Sequence, residues 1–305
     1  MAADETGDRI HDFIHLSPHQ THAWHAFLAQ VGALALHNGG LEEFPRDPDT
    51  WRDLLLDLSK GDVRAWDLVA EDQDAPAFMQ SPVVGDFPEK WNAYSFPDEI
   101  DILETATNHD VKRQRLRQPE PDHWVYALVT VQTESGYSGN RWNGTVRMNG
   151  GYGSRVCVTF TPSLAWGPWW RRDVKTLLAR RAEVVHDYGY PAQDGIALMW
   201  LHPWDGASQV ELGELDPFFI ETTRRYRLTR DEDHAIRAFG TGSVMRVNGK
   251  KMMGVVGDPW TPFTQGDSPK SLSLGARGFP YSALCDLLFG KNDWRLGPVS
   301  YTHLT

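Results

Sequence analysis

Cysteine is nearly absent: Cys157 and Cys285 are the only two in a chain of 305 residues. Two thiols so far apart supply neither a disulfide framework nor a cysteine-rich zinc site. No apolar run is long enough to span a bilayer. The opening "MAADETGDRI" is polar and acidic, not a basic then apolar leader, so neither export nor insertion is expected and a cytoplasmic location is. The phosphate-binding spacings G-x-x-x-x-G-K-[ST] and G-x-G-x-x-G are missing, as are the G-x-S-x-G elbow and the H-E-x-x-H zinc helix. Cys157 lies in an apolar stretch with no base beside it, so nucleophilic catalysis has no visible apparatus.

Acid is missing locally although the chain as a whole carries a formal charge of -11. From Ser135 to Arg172 there is no Asp or Glu, while Arg141, Arg147, Arg155, Arg171 and Arg172 fall inside. From Ala235 to Gly257 acids are again absent, and Arg237, Arg246, Lys250 and Lys251 are present. Two further basic runs are "VKRQRLR" at 111–117 and "RRYRLTR" at 224–230. An acidic protein with acid-free basic stretches is expected to turn one face to a polyanion, against the alternative of ordinary solvated surface. Within the first stretch stands "RMNGGYGSR", residues 147–155. Glycine carries no Cβ, so Gly150, Gly151 and Gly153 let the backbone approach another molecule closely. Arg147 and Arg155 are expected to add charge at the rim, which suits phosphate. A tight turn between a helix and a strand is the other reading.

The fold class expected is α+β: an α-rich part over 1–190 and a β-rich part over 191–305, with no internal repeat. "LSPHQTHAWHAFLAQVGALAL" is a helix opened by an S-x-x-Q capping box, with Trp24, Phe27, Leu28, Val31 and Leu34 at helical spacing. "PDTWRDLLLDLS" and "PWWRRDVKTLLARRAEVV" are further helices, the latter ending near Gly189. "DHWVYALVTVQ" is ambiguous, because its β-branched residues favour a strand while Trp124, Leu128 and Val131 share a helical face. "RVCVTF", "IALMWL", "VELGEL", "FFIETTRRYRLT" and "SVMRVNGKKMMGVVG" are read as strands, and Asn248-Gly249 as a hairpin turn. "PYSALCDLLFG" begins a last helix.

The histidines at 11, 15, 19, 22, 25 and 37 raise a metal hypothesis. His15 and His19 are interrupted by Pro18, and His22 and His25 lack a carboxylate at ligand spacing, so no metal or other cofactor is expected. Thirteen tryptophans and the pairs Glu42/Glu43 and Glu211/Glu214 leave a glycoside or metal-dependent hydrolase as the rival reading.

"PAFMQ" at 76–80, "TATNHDVK" at 105–112, "VQTESGYSGNRWNGTVRMNGGYGSRVCVTF" at 131–160, "RRDVKTLL" at 171–178, "LMWLHPWDGASQVEL" and "GDPWTPF" at 257–263 follow one another in a telling order. In that order the chain resembles the CasA large subunit of the type I-E CRISPR surveillance complex, Cascade, over about Leu16 to Phe289. The resemblance implies a non-catalytic subunit that recognises the protospacer-adjacent motif in double-stranded DNA and helps start the R-loop. It implies that Asn149, Gly150, Gly151, Tyr152 and Gly153, with Arg147 and Arg155, meet the minor groove, and that Lys250 or Lys251 reaches the same duplex. Asn108, His109, Lys112, Arg113 and Arg115 would contact the guide RNA or neighbouring subunits. Other Cascade subunits and a helicase-nuclease effector are the implied partners. The family's opening strand and C-terminal four-helix bundle, with its glutamine wedge, have no counterpart here, so a truncated copy is expected.

Overall fold

The computed structural model describes residues 1–85, 87–102, 116, 118–149, 155–161, 163–274, 279, 281–289 and 294–299. Its five described helices are α1 (Thr21–Asn38), α2 (Pro48–Leu58), α3 (Pro121–Glu134), α4 (Trp166–Tyr188) and α5 (Tyr281–Phe289). Its strands are β1 (Asn92–Tyr94), β2 (Ile196–Leu198), β3 (Val210–Glu211), β4 (Leu215–Ile220), β5 (Arg225–Arg230), β6 (Ile236–Thr241), β7 (Val247–Asn248), β8 (Phe263–Thr264) and β9 (Trp294–Arg295). The antiparallel sheet β1-β6-β5 is the largest; β2-β4 and β3-β7 are parallel pairs, and β8-β9 is an antiparallel pair. The architecture is α+β, as the sequence implies.

Helix α1 is the centre. The 3-10 turn Pro18–Gln20 that leads into it is opened by the Ser17 N–H donating to the Gln20 Oε1 at 3.0 Å. Between Ala23 and Leu36 only Trp24 and Leu28 keep part of their surface exposed. A one-faced amphipathic helix is the sequence expectation; a helix apolar all round is instead enclosed by its neighbours. Alanines at 23, 26, 29, 33 and 35 keep it thin enough for α2, α3, α4 and β4 to close on it. Gly32 faces α4, where a Cβ would stand 2.6 Å from Cζ2 of Trp170.

The ambiguous "DHWVYALVTVQ" is helical. Pro121 opens α3, and the hydroxyls of Thr130 and Thr133 donate back to the carbonyls of Tyr126 and Val129, each at 2.8 Å. Burial on nearly every side outweighs the weak helix preference of its β-branched residues. Three buried glutamines satisfy backbone groups of strands and loops, Gln30 and Gln132 reaching them from helices and Gln80 from a loop. Gln30 donates to the carbonyls of Phe218 and Phe219, Gln132 to those of Met79 and Arg224, and Gln80 to those of Leu68 and Phe78.

Two strand expectations are corrected. "RVCVTF" lies outside every ladder, since the Arg155 and Val158 N–H groups bond singly to the carbonyls of Glu134 and Trp260. Asn248-Gly249 makes no hairpin, because a type I′ turn needs positive φ at both positions and Gly249 has φ -143. Asn248 is extended in β7, its amide Nδ2 donating to Glu211 Oε1 at 2.8 Å, and a 3-10 turn over Lys250–Met252 follows.

Gly32→Ala tests the closeness of α1 and α4. Alanine gains roughly 1 kcal/mol in helix propensity, but the Trp170 indole is fixed by its Nε1 donating to the Leu28 carbonyl at 2.8 Å. Overpacking of about 1–3 kcal/mol is therefore expected to win, giving a lower urea midpoint at unchanged slope. A raised midpoint would show that the indole yields freely.

Candidate nucleic-acid interface

Gly150, Gly151, Tyr152 and Gly153 lie outside the described residues, and the structure speaks of the two ends that carry them. Both end in the interior. Arg147 is 2% exposed, with Nη2 donating to the Phe219 carbonyl at 2.8 Å and its guanidinium 3.9 Å from the centre of the Phe219 ring. Its other nitrogens face Glu221 Oε2 at 3.5 Å and Asp258 Oδ2 at 3.7 Å. Arg155 grips Asp258 with both arms, Nε to Oδ2 at 2.5 Å and Nη2 to Oδ1 at 2.8 Å. The expected rim cations are thus corrected to internal fasteners. Their partners come from residues 221 and 258, far along the chain, so a stretch that is acid-free in sequence is not acid-free in space.

The same cluster sets the local electrostatics. Glu221 accepts from the Thr145 hydroxyl at 2.6 Å and the Val146 N–H at 3.0 Å, yet burial pushes its carboxyl up, with Arg147 pulling the other way. Burial pushes Glu134 up to about 7, against the nearby Arg155 charge. The Cys157 thiol, driven up mainly by burial, donates to Glu134 Oε1 at 3.6 Å. Burial alone would raise Asp258, but Arg155 outweighs it and holds the carboxyl below its ordinary value. Burial also pushes Arg147 down.

Lys250 and Lys251 take the opposite position. Both are exposed, and neither makes an ion pair among the described residues. The glycines on either side of their turn, Gly249 and Gly254, lie against the first end of the glycine segment. Gly254, at φ +81, lies so close that a Cβ there would stand 2.6 Å from the Arg147 carbonyl oxygen and 2.7 Å from the Met148 carbonyl carbon. A Cβ at Gly249 would run into Val146. The Asn149 amide Nδ2 donates to the Ser271 carbonyl at 3.2 Å, while the Ser271 N–H donates to Met253. Two segments a hundred residues apart are therefore one surface, although no local signal in either announces the other.

Other basic residues expected on the polyanion face divide in the same way. Arg246, Arg224 and Arg227 are buried, Arg246 donating to Ser81 and to the carbonyls of Met199 and His202. Arg172 pairs with Asp173 at 2.7 Å and Arg237 with Asp231 at 2.6 Å. Asn108, His109, Lys112, Arg113 and Arg115 lie outside the described residues; next to them, the Leu116 N–H donates to Asp98 Oδ2 at 3.3 Å. The histidines part company: His15 stacks on His123, His19 meets Asp101 at 3.0 Å, and His25 meets Asp173 at 2.8 Å. Among the described residues no three His, Cys, Asp or Glu side chains gather as a metal site would need. Trp51, Trp66 and Trp170 do line a cleft of about 720 Å³, but no carboxylate lines it. The aromatic and acidic halves of a glycosidase site are not brought together there. No described helix is long and apolar enough to cross a membrane.

No protein-family model and no curated protein matches the sequence. The fold is similar to that of a chain in a solved structure described as a "CRISPR RNA-guided surveillance complex", with a TM-score of 0.56 and 13% sequence identity. The match covers 95% of this chain and 60% of that one, so this chain corresponds in length to part of its neighbour.

Two predictions test the cluster. Arg155→Ala strands Asp258 in the interior and is expected to cost about 3–5 kcal/mol of unfolding free energy, whereas Lys251→Ala stays within about 0.5 kcal/mol. Equal effects in a denaturation series would overturn the fastener role. The second concerns Glu134, whose folded-state pKa lies above its unfolded value. Its contribution to stability is fully present below about pH 4.5 and is lost as pH rises through about 7. The stability of the native chain relative to Glu134→Gln should fall by up to about 3 kcal/mol across that window and then level off. A flat difference would place the carboxyl in contact with water.

Proposed function

We propose that this chain is the large subunit of a Cascade-type RNA-guided surveillance complex, of the type I-E CasA kind, that reads a protospacer-adjacent motif in duplex DNA. The observation that carries the proposal is the close approach of the two glycines flanking the Lys250–Met252 turn, Gly249 against Val146 and Gly254 against Arg147 and Met148. It sets exposed ammonium groups beside a segment whose glycines present backbone without Cβ atoms. Lysine supplies strongly hydrated point charges for phosphates. Backbone free of side chains enters a minor groove about 6 Å wide that bulkier residues would block. Arg147 and Arg155 act indirectly by fixing both ends of the segment, which lowers the ordering cost of binding. The fold shared with a chain of a surveillance complex supports the same reading.

In this role the protein carries out no bond chemistry and needs no cofactor. Sequence selection belongs to guide pairing, while the subunit reads the flanking motif and helps open the duplex into an R-loop. Asn108, His109, Lys112, Arg113 and Arg115 would then face the guide RNA or adjacent Cascade subunits. A helicase-nuclease would be recruited to the assembled complex in the cytoplasm.

The test uses reconstituted complex and a salt series. Each phosphate neutralised contributes about -0.9 to the slope of log affinity against log salt, so Lys250→Ala with Lys251→Ala should flatten the slope by up to about two such steps while melting is unchanged. An unchanged slope would move the DNA surface elsewhere. Gly151→Ala with Gly153→Ala should weaken binding only on the motif-bearing target, with assembly intact. Undiminished motif discrimination in the folded variant would sink the minor-groove role.

A further inference from the structure

A second cationic site lies in a cleft of about 580 Å³ between α4 and the β8-β9 pair. That volume falls within the range of small-ligand sites, about 300–1,000 Å³. Its cations come from distant parts of the chain: Arg172, Lys175 and Arg180 from α4 and Arg295 from β9. Three acids share the cleft, and two are already engaged. Glu183 accepts twice from Arg180 Nη1, both at 2.7 Å, and Asp258 is held by Arg155. Asp187, which also lines the cleft, meets the exposed His186 at 3.1 Å. Lys175 and Arg295 are exposed and make no ion pair among the described residues. Each instead lies against an aromatic ring, Lys175 5.7 Å from Phe44 and Arg295 6.0 Å from Phe263. Phe263, Tyr188 and Val184 supply an apolar wall beside these charges.

Cations without partners, next to an aromatic wall in a concavity of this size, fit a ligand that is anionic at one end and flat at the other. We propose that the cleft binds a 5′-mononucleotide, its phosphate on Lys175 and Arg295 with Arg172 at the edge, and its base against Phe263 and Tyr188. Charge-assisted hydrogen bonds supply the phosphate contacts, and stacking on an aromatic face, tolerant of base identity, supplies the other. The duplex surface at Lys250 and Lys251 does not line this cleft, so the two sites are separable.

The experiment titrates the full chain with a fluorescent adenosine 5′-monophosphate analogue and competes it with unlabelled adenosine 5′-monophosphate, adenosine and inorganic phosphate. Saturable binding is expected, with the unlabelled nucleotide the best competitor. Lys175→Ala with Arg295→Ala should weaken it by more than about tenfold at unchanged melting temperature, since both charge-assisted phosphate contacts are lost. Lys250→Ala with Lys251→Ala should leave it unaltered whether or not the duplex reading holds. The proposal is overturned by failure to saturate, by adenosine or inorganic phosphate competing as well as the nucleotide, or by binding that survives the Lys175 and Arg295 changes.

Discussion

The carboxylate of Asp258 is the constraint on which the candidate interface depends. It accepts both arms of Arg155, the Trp260 N–H at 3.0 Å and the Thr261 hydroxyl at 3.0 Å, and it faces Arg147. Both ends of the glycine segment are thereby referred to one acid delivered by a remote loop. Trp260 carries the restraint inward, its Nε1 donating to Asp173 Oδ2 at 3.3 Å. Asp173 also meets His25 on the central helix at 2.8 Å, where the His25 ring lies 3.5 Å from that of Trp169. A continuous run of buried contacts thus leads from the ends of the segment to the second turn of α1. Loosening any member would leave a charged group buried without its partner, which is why such clusters hold geometry firmly even where their net contribution to stability is small.

The rest of the fold shows how short strands survive without long ladders. Backbone groups left over by short strands and loops need partners when buried, and here amide side chains supply them. Gln132 is the fullest case, donating to Met79 and Arg224 and accepting the Arg224 N–H at 2.8 Å. Gln80 likewise accepts the Leu228 N–H at 2.6 Å while donating to two carbonyls. Small sheets are stitched to the helical core by such side chains more than to each other.

What was legible in the sequence follows from how local the physics is. The limits of α1, α2 and α4 are written in nearby residues: the Gln20 side chain, the Asp47 cap accepting the Thr50 N–H, and Gly189 at φ 73. The order of motifs was enough to anticipate an α+β fold shared with a surveillance-complex chain. The role of Arg147 and Arg155 was not legible, because it depends on acids 74 and 103 residues away. Asp258 stood in a quoted motif, but its only local sign was the turn it makes with Trp260 and Thr261. The missing hairpin at Asn248-Gly249 has the same origin, since pairing of Val247 with Val210 in β3 takes the strand in a direction no dipeptide can foresee.

The separation of arginine from lysine has a single physical cause. A guanidinium is weakly hydrated, spreads its charge over a plane and offers five donors, so it enters the interior where carboxylates and carbonyls surround it. An ammonium is compact and strongly hydrated, and burial would drive it towards neutrality. Arg147, Arg155 and Arg246 accordingly face inward, while Lys250 and Lys251 stay in solvent at the edge of the segment those arginines secure. Internal fastening and solvent-exposed charge therefore rest on different residues of one small region. A basic stretch read as a count of charges merges the two, and only the desolvation cost of each side chain tells which charges remain for a ligand.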